Sequence, residues 1–491
     1  MIILVLDVGT SSIRSILFEE DGSVLWKCQA AYGPDALPDG AVEMNMELFD
    51  KTMERVLKRT GNWLVEQKRT VSCISVTAQR SSVIPVGRDG KALKNAMMWQ
   101  DTRAVSICEA LEDRKRQIYK ICGMIPSPVF SAPKMRYIKE HFTDIYQKAH
   151  KLIGFQEYVI CFLTGEFYTD YSIASRTCLF DIARLSWSED LLELFHLEEE
   201  KLCGLIPAGS VAGTTKVWAS RTLNSEKPIP VISAGGDQQC AALGLGCQKS
   251  GEIIANSGTG SYVIAVTDRP LFDEDMRVNC NLSAIPGMWM VEGAVLSAGK
   301  SVNWLNSLLF DSREGGALFG EFSKACEEAP AGANGLIFVP LLAGKGTPAW
   351  RPEARGRICG IGLEHKKGDL ARALLEGIAA EMKECAEVIS QVTHDSYAMV
   401  KAAGGLTRNK IYNQILADFL NCPVTRPEND EATGLGAWIS AAVGMEICGS
   451  HEEAYQRACT GRPCIRYEPI EEHQRIYTQL YRRLKEYEMN C

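Results

Sequence analysis

The sequence predicts an α/β protein whose two similar halves face each other across a cleft. Three observations support this prediction: the chain has 491 residues, strand-like and helix-like segments alternate along it, and one strand–loop–strand pattern occurs twice. A chain longer than roughly 250–300 residues usually forms more than one hydrophobic core, so two domains are expected. Alternating strands and helices are typical of α/β folds. We expect the first domain to span residues 1–246 and the second to span residues 247–491.

The first half opens with the pattern of an antiparallel meander. Ile2–Leu6 and Ile13–Phe18 are predicted strands, and Asp21-Gly22 predicts a hairpin turn into a third strand, Val24–Trp26. Apolar residues at helical spacing then predict a helix over residues 46–67. Further strand patterns lie at Val71–Val76, Val83–Val86 and Ile229–Ser233, and the chain ends in a predicted helix, Glu471–Met489.

The opening pattern returns near residue 250. The loop Asp7–Ser12 separates the first two strands, and the loop Asn256–Ser261 separates strands predicted at Glu252–Ala255 and Tyr262–Val266. Glycines let backbone N–H groups approach phosphate oxygens, and Thr and Ser add hydroxyl donors. A carboxylate such as Asp7 can hold Mg²⁺ through water. Two hairpin turns with polar tips are the alternative interpretation, but the repetition favours a two-sided phosphate site.

Composition excludes several other classes of protein. The net charge of −8 and the lack of a dense Lys/Arg run argue against a nucleic-acid partner. The 18 cysteines are scattered through a long chain, which suggests reduced thiols in a cytosol rather than a disulfide scaffold. The N-terminal sequence MIILVLDVGTSS lacks the basic region of a signal peptide, and no apolar run reaches the roughly 18 residues of a membrane span. We therefore expect a cytoplasmic protein with small-molecule partners.

Asp237 is the candidate catalytic base. It follows Gly235-Gly236 at the end of a predicted strand, where a carboxylate is well placed to accept a proton from a substrate hydroxyl. The alternative is that Asp237 only caps the N-terminus of the next helix. The segment Gly293–Ser301 resembles a Walker A loop, but five residues rather than four separate its first Gly from the Gly-Lys pair. Lys300 therefore receives no catalytic role.

Several short segments in a specific order point to a known family. They are Asp7–Ser12, Gln79-Arg80, Met98–Asp101, Phe130–Lys134, Gly235–Gln238, Ser257–Gly260, Thr347–Trp350, Arg355-Gly356, and Ala403–Asn409 with Gln414. Through them the chain resembles the FGGY carbohydrate kinases of the actin-like ATPase superfamily over essentially its whole length. The resemblance implies two actin-like (ribonuclease H-like) domains, each with a mixed β-sheet flanked by helices, around a central cleft. It also implies ATP and Mg²⁺ as cofactors, domain closure during the reaction and, by analogy, a homodimer.

The resemblance further implies roles for individual residues. Asp7 would position Mg²⁺, Asp237 would be the general base, and Thr10 and Thr259 would contact the phosphates of ATP. The other implied nucleotide-binding residues are Ser11, Ser12, Gly258, Gly260, Gly299, Asn303, Gly404, Gly405 and Asn409. The implied substrate-binding residues are Arg80, Ser81, Trp99, Asp237, Gln238 and Tyr262. The structural alternatives are a plain strand-to-helix turn at Gly404-Gly405, a core role for Trp99 and a surface ion pair for Arg80.

The substrate positions differ in part from those of glycerol kinases, which use an Arg-Glu pair, a Trp, a Tyr, an Asp-Gln pair and a Phe. The matching residues are Arg80, Trp99, Asp237 and Gln238. In contrast, Ser81, Val129 and Tyr262 replace the Glu, the Tyr and the Phe. A buried hydroxyl without its partner costs on the order of 1–3 kcal/mol, so loss of the carboxylate argues against glycerol.

Smaller side chains at Ser81 and Val129 should also enlarge the pocket. Xylulokinases and gluconokinases usually carry Met-His at the Arg80–Ser81 position, and this chain has neither residue there. We therefore expect a four- to six-carbon polyol or ketose, with a xylulose-like substrate favoured. Glycerol kinase remains an alternative, as do an actin-like or chaperone-type ATPase without a sugar substrate and a catalytically silent sugar sensor. Arg80, Trp99 and Asp237 form a hydroxyl-binding set that argues against the ATPase.

Overall fold

The structure, a computed structural model, describes residues 1–310, 320–428, 431–461 and 463–488. The strands of the first half are β1 (Ile3–Val8), β2 (Ser12–Phe18), β3 (Val24–Ala31), β4 (Asp35–Ala36), β5 (Val42–Met44), β6 (Cys73–Ala78), β7 (Ile84–Val86), β8 (Ala96–Met97), β9 (Lys151–Ile153), β10 (Tyr168–Asp170), β11 (Phe180–Asp181), β12 (Ser186–Trp187), β13 (Gly204–Ile206), β14 (Val211–Thr214) and β15 (Pro230–Gly236). Its helices are α1 (Met46–Glu66), α2 (Val105–Glu109), α3 (Lys115–Cys122), α4 (Ser131–His141), α5 (Thr143–Lys148), α6 (Phe155–Thr164), α7 (Tyr171–Ala174), α8 (Glu189–Leu194), α9 (Val217–Thr222) and α10 (Asp237–Gly244).

The second half repeats the alternation of strands and helices. Its strands are β16 (Ile253–Ser257), β17 (Ser261–Thr267), β18 (Asn279–Leu282), β19 (Trp289–Val295), β20 (Ile337–Val339), β21 (Arg357–Cys359), β22 (Val400–Ala403), β23 (Val424–Pro427) and β24 (Cys464–Tyr467). Its helices are α11 (Gly299–Leu309), α12 (Gly320–Glu328), α13 (Lys367–Thr393), α14 (Lys410–Leu420), α15 (Ala432–Gly444), α16 (His451–Cys459) and α17 (Glu471–Glu488). The predicted last helix is confirmed as far as Glu488, and Met489 lies outside the described residues.

The two main sheets share a six-strand topology, to which the second sheet adds β18 as a seventh strand at its edge. The first has the order β14-β15-β6-β1-β2-β3, and the second has the order β18-β19-β17-β16-β22-β23-β24. In each, an antiparallel meander (β1, β2, β3 or β16, β17, β19) is followed across the sheet by two strands parallel to its first strand, and then by one antiparallel strand. The structure thus confirms the predicted α/β class with two mixed sheets flanked by helices, and it explains the repeated sequence pattern.

The strands extend further than the sequence predicts at the candidate site. Asp7 lies inside β1, where it is paired with Arg14 of β2, and Ser12 begins β2. Ser257 and Ser261 likewise belong to strands. Each predicted loop therefore shortens to three residues, because the flanking polar residues take part in the antiparallel ladders.

Apolar side chains cover both faces of each main sheet. Helix α1, predicted over 46–67, spans Met46–Glu66, and the Asn45 side chain caps it by accepting a hydrogen bond from the N–H of Leu48. Its buried face packs with β2 and β3 on one face of the first sheet. On the opposite face, α15 from the second half packs against β1, β6 and β15, and Trp438 is fully buried there. Through this helix, the second half of the chain packs against the main sheet of the first half.

The cysteines behave as the sequence predicts. Most of them are buried, and no disulfide joins any cysteine of the described residues. Burial accounts for this distribution, because a thiol packs as a small apolar side chain. None of the helices in the described ranges is long and apolar enough to cross a membrane.

Candidate active site

Residues from both halves of the chain meet in one cavity of about 190 Å³. Ten of the predicted site residues line it: Thr10, Arg80, Ser81, Trp99, Asp237, Gln238, Gly258, Thr259, Gly260 and Tyr262. The other lining residues are Gln79, Val129, Arg176 and Asn256. The two glycine–hydroxyl loops therefore lie in the same cavity, as the internal repeat predicts.

The first loop is held by hydrogen bonds to two other residues that line this cavity. The Trp99 indole N–H donates to the Thr10 hydroxyl at 3.1 Å, and that hydroxyl lies 3.4 Å from Oε1 of Gln79. Trp99 is therefore a partly buried residue that lines the cavity, rather than a core residue. Ser11 is exposed, and Ser12 accepts a hydrogen bond from Gln29, so neither residue lines the described cavity.

Asp7 lies below this loop in a network of charges. Its buried carboxylate forms an ion pair with Arg14, which also binds Glu431 at 3.0 Å, and Glu431 in turn binds Lys27 at 2.9 Å. Burial raises the pKa of Asp7, while the neighbouring Arg14 opposes that rise. Asp7 also helps to raise the pKa of Asp237, so the two carboxylates are close enough to repel each other. Carboxylate oxygens are preferred ligands of Mg²⁺, and a cation held by these residues would relieve the repulsion, so the donor set fits Mg²⁺.

The second loop is anchored by the N-terminus of α11. The N–H groups of Gly299 and Lys300 donate to the carbonyls of Gly258 and Thr259, at 3.0 and 3.1 Å. A Cβ at Gly299 would lie 2.5 Å from the Gly258 oxygen, so this close approach requires glycine. The pseudo-Walker segment is thus a strand end followed by a helix start, and the backbone N–H of Lys300 supports the second loop. Asn303 is exposed on α11 and lies outside the described cavity.

A second cavity of about 180 Å³ adjoins the first through Asn256, which lines both. Gly404 lines it, with φ of +93°, and a Cβ there would lie 2.4 Å from the Ser257 carbonyl oxygen. Gly405 faces open space. The Asn409 side chain is buried and accepts hydrogen bonds from the N–H groups that begin α14. Asn409 therefore has a structural role as a helix cap in addition to the predicted nucleotide contact.

Asp237 begins α10 at the end of β15, with Gly236 as the helix-capping residue. The alternative that Asp237 is the N-cap is thus wrong. Its Oδ1 lies 3.4 Å from Nε of Arg80, and 28% of its side chain is accessible. Burial raises the pKa of Asp237, and Arg80 partly offsets that rise. A carboxylate with a raised pKa inside a cavity has the properties of a general base.

Arg80 has a second carboxylate partner that the sequence does not reveal. Its Nη1 lies 3.3 Å from Glu292 of β19, and Arg176 binds the other oxygen of Glu292 at 3.0 Å. The Arg80 side chain is only 8% exposed, so the surface ion pair considered from the sequence is wrong. Burial alone would raise the pKa of Glu292, but the two guanidinium groups hold it below its usual value.

Sequence reasoning missed Arg176 and Glu292 because neither stands in a recognised segment. Glu292 is an acidic residue within the apolar strand Trp289–Val295, which is buried on both faces and where apolar side chains are therefore the rule. That position was a usable signal, since a charge in a buried strand requires a partner. Its partners come from the other half of the chain, more than one hundred residues away.

The segments that contribute Ser81 and Val129 to the cavity are held by a buried lysine. Lys134 of α4 is fully buried, and its ammonium group donates to the carbonyls of Ser81, Pro128, Val129 and Phe130. Burial lowers its pKa to about 7. Ser81 has φ of +70°, which is strained for a residue other than glycine. Lys134 thus fixes two cavity-lining positions, Ser81 and Val129.

The Ser81 hydroxyl contacts backbone. It donates to the carbonyl oxygen of Arg176 at 3.3 Å. Gln238 is held from the other side of the cavity, where its side-chain oxygen accepts a hydrogen bond from Asn256 at 2.7 Å. Burial raises the pKa of Tyr262, and the phenol lines the cavity.

Comparisons with known proteins agree with this geometry. Residues 2–244 match the N-terminal domain, and residues 253–445 the C-terminal domain, of the FGGY family of carbohydrate kinases. A glycerol kinase of Thermococcus gammatolerans is 33% identical over 92% of this chain and 90% of its own length. A xylulose kinase of Lactococcus lactis is 26% identical over 99% of this chain and 97% of its own length.

Solved structures show the same relation. The glycerol kinase of Plasmodium falciparum with ADP superposes with a TM-score of 0.89 at 25% identity, and the match covers 99% of this chain and 98% of that one. Two matched domains and a relative above 30% identity together establish the family. The chain belongs to the FGGY family of carbohydrate kinases.

Proposed function

We propose that this carbohydrate kinase transfers the terminal phosphoryl group of ATP to a hydroxyl of a four- to six-carbon polyol or ketose, with a xylulose-like substrate favoured over glycerol. The observation that carries the proposal is the position of Asp237. Its carboxylate shares one cavity with the glycine–hydroxyl loop Gly258–Gly260 and with the side chains of Arg80 and Trp99. A base, a phosphate loop and a hydroxyl-binding surface are the parts that phosphoryl transfer to an alcohol requires.

On the sugar side, Asp237 would accept the proton of the attacking hydroxyl. Arg80 keeps the carboxylate ionised and oriented, because its Nε lies 3.4 Å from Oδ1. The same guanidinium can donate to other hydroxyls of the substrate. Trp99 offers an apolar ring face for the carbon skeleton, since its indole N–H is already bound to Thr10. The arrangement orients one hydroxyl toward the phosphate loops.

On the nucleotide side, Thr10 and the backbone of Gly258–Gly260 would bind the phosphates of ATP. The Gly404 turn, which lines the adjoining cavity, would take the nucleoside. Asp7 would hold Mg²⁺ through water, and Arg14 would keep the carboxylate in place. Bound Mg²⁺ neutralises negative charge on the phosphates during transfer.

Two observations support a substrate other than glycerol. The Ser81 hydroxyl donates to a backbone carbonyl and so does not replace a carboxylate that grips two substrate hydroxyls. Val129 lines the cavity as a small apolar residue. Glycerol is the second candidate, because a glycerol kinase is among the relatives above 30% identity. The xylulose kinase at 26% identity, which covers nearly the whole chain, is consistent with a ketose.

A substrate panel tests the proposal. We would measure ADP release with glycerol, erythritol, xylitol, sorbitol, D-xylulose and D-fructose at saturating Mg-ATP, and confirm each phosphorylated product by its mass. The highest kcat/KM should belong to a four- to six-carbon compound. Glycerol as clearly the best substrate would contradict the enlarged pocket, and an ATPase rate unchanged by every compound would contradict sugar phosphorylation itself.

A homodimer and a cytoplasmic location are further proposals, which rest on the family resemblance. Light scattering of the purified protein tests the first. Fractionation of the source cells tests the second.

A further inference from the structure

Four charged residues, three of them buried, meet at one side of the cavity, and we refer to Arg80, Arg176, Asp237 and Glu292 as the charge cluster. Arg80 lies 3.4 Å from Asp237 and 3.3 Å from Glu292, and Arg176 lies 3.0 Å from Glu292. Arg80, Asp237 and Arg176 line the cavity, whereas Glu292 lies behind the two guanidinium groups. The cluster joins the halves of the chain, since Glu292 comes from β19 of the second half.

Arg176, which lines the cavity, has an N–H donor without an acceptor. Its guanidinium lies over the Phe130 ring at 5.0 Å, and one Nη contacts Glu292 and the sulfur of Met124. Its Nε is buried and has no hydrogen-bond partner among the described residues. A buried N–H without an acceptor is unfavourable, and a ligand oxygen in the cavity would satisfy it.

The charges of the cluster cancel. The two oxygens of Glu292 are divided between its partners, since Oε1 faces Arg176 and Oε2 faces Arg80. With Asp237 ionised, two guanidinium groups stand against two carboxylates. A substrate that carried its own carboxylate would bring an unbalanced negative charge into this enclosed site, where desolvated charges need partners. Hydroxyl groups would accept from the arginines without that penalty.

We infer that Arg176 is a substrate-binding residue that determines specificity, and that Glu292 is a positioning residue for Arg80 and Arg176. Because Glu292 neutralises charge on both arginines, the site binds uncharged polyols and ketoses in preference to sugar acids. This inference rests on the proposed function.

Matched pairs of substrates test the inference. Sorbitol and gluconate, or xylitol and xylonate, differ mainly in one terminal carboxylate. The wild-type protein should prefer the uncharged member of each pair by about 100-fold in kcat/KM, the scale set by an unpaired buried charge. A wild-type preference for the acid would overturn the inference.

Two substitutions separate the roles of the residues. Glu292→Gln keeps the shape and frees both arginines, so the preference for the uncharged member should narrow by about tenfold or more, through a lower KM for the acid. Arg176→Met should raise KM for the uncharged substrate by about tenfold, with the KM of ATP unchanged. Glu384→Gln, which removes a buried carboxylate bound to Lys345 remote from the cavity, is the matched control and should leave the preference unchanged.

The outcomes distinguish the inference from the proposed function. An unchanged preference in Glu292→Gln, or an unchanged sugar KM in Arg176→Met, would overturn the inference while phosphorylation itself remains. Loss of ATP affinity in parallel with sugar affinity would also overturn it, because a merely structural role predicts that result. If no compound is phosphorylated, the proposed function fails, and calorimetry of the wild-type protein with each pair still decides the inference. Equal binding of sorbitol and gluconate would overturn it.

Discussion

Replacement of Asp237 by Asn tests the chemical step most directly. The change keeps the size of the side chain and removes its negative charge. Asp237 Oδ1 accepts a hydrogen bond from the N–H of Gln238 at 2.8 Å, and an Asn carbonyl can accept the same bond. Arg80 keeps its contacts with Glu292 and Gln239, so the cavity should retain its shape.

The structure allows the size of the effect to be estimated. A positioned general base typically contributes about 10²- to 10⁴-fold, so kcat should fall by that factor. This corresponds to about 3–5 kcal/mol of transition-state stabilisation at 1.36 kcal/mol per tenfold change. The free energy of unfolding should change by no more than about 1 kcal/mol, because relief of a desolvated carboxylate offsets loss of its 3.4 Å contact with Arg80.

The assay is ADP release with the best substrate of the panel, together with calorimetric titration of ADP. ADP affinity should stay within about twofold of the wild-type value, because Asp237 lines the first cavity and not the second cavity, which the Gly404 turn lines and which we propose for the nucleoside. Asp273→Asn is the matched control, since Asp273 pairs with Arg277 outside the described cavity and its loss should leave kcat unchanged. A variant Asp237→Asn that keeps more than a tenth of the wild-type kcat would refute the assignment of the base.

Three further predictions concern residues around the site. Burial raises the pKa of Asp237 and Arg80 opposes that rise, so Arg80→Met should raise this pKa further. Activity is lost as the pH falls through the pKa of the base, so the acid limb of the kcat/KM profile should move to higher pH. An unmoved limb would show that the profile does not report the titration of Asp237. Gly404→Ala should weaken ADP binding by about tenfold or more in calorimetry, because φ is +93° and the new Cβ meets the Ser257 oxygen at 2.4 Å; wild-type affinity would contradict this. Lys134→Met should lower the free energy of unfolding in urea by about 3 kcal/mol and raise the sugar KM, because it leaves buried carbonyls without a donor. An unchanged urea midpoint of unfolding would argue that Lys134 does not hold these segments in place.

Local sequence patterns predicted much of the fold. The meander at the start of the chain, the strand–loop–strand unit near residue 250, helix α1 and the final helix follow from apolar periodicity and turn residues, which act within a few positions along the chain. The repeated strand–loop–strand pattern predicted two similar sheets, and the six strands of the first sheet have counterparts in the same order in the second, which adds β18 at its edge. The strand ends were less predictable, because Asp7 and Ser257 are polar residues whose backbone continues a ladder with a neighbouring strand.

The residues of the candidate site were likewise predictable from the sequence only in part. Asp237, Arg80, Trp99 and the two loops stand in recognisable segments, and the structure brings them into one cavity. The ion pairs of the charge cluster were not predictable. Glu292 contacts Arg176 across 116 positions of the chain, and its place in a buried strand indicates that it needs a partner without indicating which residue that partner is.

The sequence by itself determined the fold class, the internal repeat and the kinase family, because these depend on periodicity and on short segments in order. Only the tertiary structure decided which charges face the substrate. Burial makes each charge depend on a partner, and the partners of Arg80 and Arg176 are chosen by packing of the two halves. The charge cluster therefore depends on the packing of the two halves, which brings groups distant in sequence together in one cavity.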